Sequence, residues 1–195
     1  MRNRLVAMIA GIAMFTPPAP VSAGPKFAPY PERKVTDCAV RADKGDISVG
    51  AQAVEDTKDQ KVYFATEMTE KGYLPVYVVI ENRSVADSYL FDKSNVAMAD
   101  ASAGAVSEAR SKTGEKFAMF GVGGIFAMRA ITSATAVQEN LLKNEIQSKT
   151  LSPGVSVKGF LYIPIPKQGA RGGIHVQIPL VISRTNEIQV VNLTI

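Results

Sequence analysis

The sequence is poor in the residues that usually announce chemistry: among 195 residues there is one cysteine, one histidine and no tryptophan. A single thiol excludes an internal disulfide framework. One histidine leaves few of the usual general bases and metal ligands, since imidazole is the side chain most often used for both. An excess of charge is missing as well, with 22 Lys and Arg against 18 Asp and Glu. The formal charge of +4 falls by two once Arg2 and Arg4 are set aside with the leader described below, so the basic balance is no sign of a nucleic-acid partner. What remains is ordinary globular material, 46% hydrophobic with 15 Gly and 11 Pro, of a length that suits one domain.

The first 23 residues read as an address. Met1 to Arg4 is short and basic, Leu5 to Phe15 is apolar throughout, and Val21-Ser22-Ala23 ends the segment on small residues. This is the grammar of a secretory signal peptide, with cleavage expected after Ala23. Eleven apolar residues fall short of the roughly 20 needed to span a bilayer. The expected location is therefore the periplasm or cell envelope. There a lone Cys38 is either buried or an intermolecular partner, and burial beside Val40 is the favoured state.

Residues 24–45, with Pro25, Pro29 and Pro31, read as an extended arm draped on the surface. From Asp46 the text alternates, placing Ile47, Val49, Ala51 and Ala53 on one face of a strand. Glu55 to Gln60 reads as a polar turn, followed by the short apolar run Val62-Tyr63-Phe64. Tyr73 to Glu81 is largely apolar on both faces, which suits a central strand with one side partly covered. Asn82-Arg83-Ser84 turns the chain into a strand at Tyr89-Leu90-Phe91, which Asn95 to Met98 extends or follows. After the turn signal Ser152-Pro153-Gly154, alternation returns over Val155 to Pro166 and again over Ile174 to Ser183. Gln168 to Gly173 forms a Gly-rich loop between these two, and Ile188 to Ile195 is the last strand. Seven or eight short strands separated by turns predict a mainly β protein, an antiparallel β-sandwich over residues 46–195.

Residues 101–150 break this pattern and read as an insertion. Ile131, Ala134, Val137 and Leu141 follow helical spacing, predicting an amphipathic helix over 125–149. Ahead of it, Phe117 to Met128 is a twelve-residue run without charge. Three readings compete for Phe117 to Val137, 21 residues with one Arg. Phe117, Phe120, Ile125, Phe126 and Met128 cap the core; or the segment leans on a membrane, with Arg129 opposing a stable span; or it is a contact surface for a partner protein. In the last two, Gly121, Gly123 and Gly124 supply backbone freedom.

Signatures of catalysis fail on inspection. The stretch Gly121-Val122-Gly123-Gly124 lacks the third glycine of a dinucleotide fingerprint, since position 126 is Phe126. Lys112-Thr113-Gly114 stands without the Ser-x-x-Lys nucleophile that would give it meaning. His175 alternates onto the polar face of its strand, and the front-half aspartates have no calcium-loop spacing. Asn82-Arg83-Ser84 and Asn192-Leu193-Thr194 match the glycosylation sequon.

Two stretches carry a resemblance. Tyr63-Phe64-Ala65-Thr66 with Gly72 to Ser84, and Leu151 to Gly154 with Val157 to Pro164, resemble exported bacterial envelope proteins of no assigned activity. More widely, the pattern Pro-Val-x-Val-x-Ile-x-Asn-x-Ser over Pro75 to Ser84 resembles Ig-like sandwich domains. The resemblance implies an Ig-like fold and no catalytic residues. The expectation is thus a non-enzymatic exported protein without cofactor or metal. It contacts an envelope protein or a membrane surface through Phe117, Phe120, Gly121, Gly123, Gly124, Ile125, Phe126 and Met128. The alternative is a small-molecule or glycan-binding module using Tyr73, Tyr77, Tyr162 and Arg171, because aromatic faces and a loop guanidinium suit sugars and anions.

Overall fold

A computed structural model of the chain describes residues 25–100, 134–165 and 173–195. Their elements, in chain order, are β1 (Val40–Lys44), β2 (Ile47–Ala53), α1 (Thr57–Phe64), β3 (Tyr73–Asn82), β4 (Tyr89–Phe91) and β5 (Ala97–Asp100). There follow α2 (Thr135–Asn144), β6 (Lys149–Leu151), β7 (Ser156–Pro164), β8 (Ile174–Ile182) and β9 (Ile188–Thr194). The protein is mainly β, with two antiparallel sheets facing each other as in a β-sandwich.

One sheet runs β1-β2-β3-β7. Its centre is β3, which pairs with β2 on one side and with β7 over its full length on the other, from Tyr73 opposite Pro164 to Glu81 opposite Ser156. The second sheet is built around β8. On one edge β8 pairs with β9, and on the other it pairs with β4 and β5 in turn. That second edge is interrupted because Ile178 and Pro179 fall between the two short partners, and a proline offers no ladder donor. β6 pairs with the far side of β4.

Alternation sorts the side chains. β8 reads buried and half-buried in strict turn, so Ile174, Val176, Ile178, Leu180 and Ile182 enter the interior between the sheets. They meet Ile47, Val49, Val76, Val78 and Ile80 from β2 and β3, Leu161 and Ile163 from β7, and Tyr89 and Phe91 from β4. The opposite face of β3 and β7 is apolar too, as the sequence pattern required. It carries Tyr77, Val79, Phe160 and Tyr162 and is roofed by α1, α2 and the N-terminal arm.

Three local readings of the sequence need correction. The segment Glu55 to Gln60 is not a turn: Asp56 caps α1 by accepting from the Lys58 N–H at 2.6 Å, and Gln60 and Phe64 turn one narrow stripe inward. Gln60 is fully buried, its amide donating to Val54 O at 2.7 Å and accepting from the Thr69 N–H at 3.0 Å, so a polar residue does the work expected of an apolar one. Val40–Lys44 is not part of a free arm but an edge strand paired with β2 through the Gly45 turn. Its two inward positions, Val40 and Ala42, are too few to show as a period. Finally, α2 ends at Asn144, short of 149, because β7 captures the backbone beyond it: the Ile146 N–H donates to Phe160 O at 3.0 Å.

That capture depends on one missing side chain. A Cβ on Gly159 would lie 2.6 Å from both Cα and N of Ile146, so only glycine lets the Glu145–Ile146 segment cross β7 this closely. Asn82 pins the other end of the sandwich. Fully buried, it donates to Asp87 O at 2.8 Å and Leu151 O at 2.9 Å and accepts from the Ser84 N–H at 2.9 Å.

Candidate functional site

Among the described residues, a cluster of aromatic rings gathers in the roof over the outer face of the first sheet. Tyr30, from the arm, is its keystone: its ring lies 4.9 Å from the rings of Tyr63, Tyr77 and Phe160, edge-on to the first and last. Such offset contacts are the favoured geometry of aromatic pairs. Phe160 continues the chain of rings to Phe64 at 5.0 Å. The arm is also held by the Ala28 N–H donating to Val62 O at 3.1 Å, by the Lys158–Glu32 ion pair at 2.6 Å, and by the Arg33 guanidinium 5.9 Å above the Tyr30 ring. Burial raises the Tyr30 and Tyr77 phenols above their ordinary range.

α2 closes the other side. Val137 and Leu141 face the sheet, the Asn140 amide donates to Tyr63 O at 2.9 Å, and the Tyr162 hydroxyl donates to Leu141 O at 2.8 Å. Between the arm and the last turn of α2 lies a groove of about 620 Å³, floored by Tyr77 and Phe160 and walled by Tyr30, Lys143, Asn144 and Lys158. A second hollow of about 570 Å³ lies across the Lys158–Glu32 pair, against Arg33 and Glu81. The volumes suit a small ligand and the lining mixes rings with both signs of charge.

Glu145 borders the first groove and is almost fully buried. One carboxylate oxygen accepts from Lys93 Nζ at 2.7 Å; the other has no hydrogen-bond partner. Burial, against the pull of Lys93, pushes its carboxyl above the ordinary range. The pair ties the β4–β5 connection to the α2–β6 connection.

The tyrosines proposed for a ligand do share the outer face of the first sheet. Tyr77 reaches the groove, Tyr73 is half-buried at the margin of the aromatic cluster, and Tyr162 is sealed beneath α2 with its hydroxyl engaged, so it stands as a packing residue. Arg171 lies outside the described residues, as do Phe117, Phe120, Gly121, Gly123, Gly124, Ile125, Phe126 and Met128. His175 is half-buried, and its Nδ1 lies 2.8 Å from Thr194 Oγ1 on the neighbouring strand. Cys38 is buried, its thiol donating to Lys34 O at 3.4 Å and raised in pKa by that burial. The sequon at Asn82 is closed by the burial of its amide, whereas Asn192 is exposed. Sequence reasoning missed Tyr30, Phe160, Lys143, Lys158 and Glu145. The available signal was the aromatic outer face of β7, which implied a covering but not which segment supplies it.

Among the described residues no three His, Cys, Asp or Glu side chains gather as a metal site, and no helix is long and apolar enough to cross a membrane. No family model, curated protein or solved structure matches the chain.

Proposed function

We propose that the protein is an exported, non-enzymatic binding module of the cell envelope, an Ig-like sandwich that contacts a partner protein or a membrane surface through the apolar stretch Phe117 to Met128. The strand order supports the Ig-like part of the reading. β2, β3 and β7 share one sheet while β4 with β5, β8 and β9 share the other, a grouping like A-B-E and C-F-G of that fold, although β6 lies on β4 and not beside β7 as a D strand would.

The observation that carries the functional reading is that both ends of residues 101–133 are anchored. β5 is paired to β8 at the near end, and α2 is packed and hydrogen-bonded onto the first sheet at the far end. Long connections presented by a braced scaffold are where binding functions concentrate. Several polar side chains of the scaffold bond within the domain: Asn82, Gln60, Tyr162 and the Lys93–Glu145 pair.

Fractionation tests this directly, with carbonate washing of the membrane pellet and crosslinking in the intact envelope. The comparison is between the wild type and a chain lacking residues 115–130, a deletion that spares α2. Loss of membrane retention or of a crosslinked partner, with circular dichroism unchanged, is the expected result. Identical behaviour of the two chains refutes it. The groove under Tyr30 favours a second reading, a small-ligand module; a thermal-shift screen of glycans and small aromatic acids that moves the wild type but not Lys158→Ala would support it.

A further inference from the structure

Tyr30 fills a slot that the rest of the fold builds from its own contacts. Tyr77 on β3 and Phe160 on β7 lie 5.2 Å apart, and Phe64 of α1 stands edge-on to Phe160 at 5.0 Å. Tyr63, from the same helix, forms the wall. Into this slot the sequence Ala28-Pro29-Tyr30-Pro31 lays one ring. Residues 25–34 belong to no helix or strand, and Pro29 and Pro31 bias the backbone around Tyr30 toward the extended polyproline form. Beyond Tyr30 and Arg33 the arm is lightly held. Pro29 and Pro31 are exposed, and among the described residues a single backbone–backbone bond, from the Ala28 N–H to Val62 O, joins residues 25–33 to the body. The Lys158–Glu32 pair leaves the Glu32 side chain 78% exposed, where such pairs contribute little. The arm also underfills its recess, since the groove of about 620 Å³ opens along it and the hollow of about 570 Å³ lies across the Lys158–Glu32 pair.

We propose that this slot is a recognition site for a proline-flanked aromatic segment of a partner protein, and that the arm is its resident occupant, an autoinhibitory strap that such a segment displaces. The inference rests on the reading that the groove under Tyr30 binds a ligand, and it names that ligand as a peptide. Aromatic-lined grooves suit proline-rich segments because the extended form is set before binding and little entropy is lost. The arm displays the required chemistry in place: a ring for the slot, prolines on both sides of it, a carboxylate for Lys158 and an N–H for Val62 O. With the strap seated, Tyr77 and Phe160 are sealed from solvent, so no ligand stacks on them until Tyr30 leaves. Competition also selects a foreign segment over a second copy. Another copy's arm makes the same contacts, whereas the tethered arm is present at an effective concentration of about millimolar. A partner segment gains by extending into the groove and the hollow that the arm leaves open.

Fluorescence anisotropy of a labelled peptide with the sequence of residues 26–34 tests the inference on the purified full chain. The expected result is binding to Tyr30→Ala at least tenfold tighter than to wild type, because the apparent affinity falls with the fraction of chains whose slot is open. A peptide carrying alanine in place of its tyrosine is expected not to bind. A second variant, Ala28→Cys with Val62→Cys, places two exposed thiols where the arm bonds to α1, while the native Cys38 is buried. Bridging them with a short bis-maleimide locks the strap, and the locked chain is expected to lose the peptide binding that the unbridged chain shows. This pair keeps the test decisive if Tyr30→Ala misfolds. Absence of binding to both Tyr30→Ala and the unbridged chain overturns the inference, as does equal binding to wild type, open and locked chains. A wild-type dimer in sedimentation that Tyr30→Ala abolishes also overturns it, since the occupant is then the arm of a second copy. If glycans or aromatic acids stabilise the wild type while the peptide binds no chain, the groove keeps a small ligand and the peptide inference falls alone.

Discussion

Replacing Gly159 by alanine is expected to be among the most damaging single-methyl changes in this protein. The added Cβ would stand 2.6 Å from Cα and N of Ile146 and 3.0 Å from the carbonyl carbon of Glu145. All three are backbone atoms, so no rotamer change relieves the overlap and the crossing segment must lift. Overpacking of this kind costs about 1–3 kcal/mol, and loss of the Ile146 N–H to Phe160 O bond adds about 1 kcal/mol. Together these predict roughly 3 kcal/mol. In urea, with a slope of about 2 kcal/mol/M, the unfolding midpoint falls by about 1.5 M without a change of slope. Gly154→Ala is the control: its φ of +73° is left-handed, but a Cβ there meets nothing within 4 Å. That variant loses only about 1–2 kcal/mol of backbone preference. Equal midpoints for the two variants, or a loss below about 1 kcal/mol at position 159, would refute the close-crossing account.

Asn82→Ala leaves one buried carbonyl, one part-buried carbonyl and one buried N–H without this partner, and is expected to cost about 2–4 kcal/mol in the same denaturation experiment. The raised carboxyl of Glu145 gives stability of a definite sign: its folded-state value lies above the unfolded one, so its contribution is complete below the ordinary carboxylate range and declines as pH rises through the folded value. Thermal melts of Glu145→Gln across that window should show a flatter pH dependence than wild type, while Lys93→Met, which strands the buried carboxylate, should show a steeper one. Cys38 is expected to resist Ellman's reagent in the native protein and to react stoichiometrically in denaturant; fast native labelling would show that the roof opens at the short helical turn Val35–Asp37.

Local pattern carried much of the fold. Strict alternation in β8 and the two apolar faces of β3 were legible because a strand's side chains alternate by geometry, whatever surrounds them. The helical spacing of Val137 and Leu141 likewise marked the buried stripe of α2. α1 was illegible because its inward stripe is only Gln60 and Phe64, and glutamine becomes a core residue only once Val54 and Thr69 are there to bond it. β1 was illegible because an edge strand of five residues buries too little to leave a period.

The candidate site shows the same division more sharply. Tyr77, Phe160 and Tyr162 were readable as one side of a covered sheet, since each lies on the outward phase of its strand. What covers them was decided in three dimensions: Tyr30 is 47 residues from Tyr77 in sequence, and Leu141 reaches the Tyr162 hydroxyl from a helix that no local signal directs to that face. Sequence by itself determined which faces are apolar, because that depends on residue order and backbone period alone. Tertiary structure decided which segments roof the outer face of the first sheet, because that depends on where distant parts of the chain can reach, cross and bond.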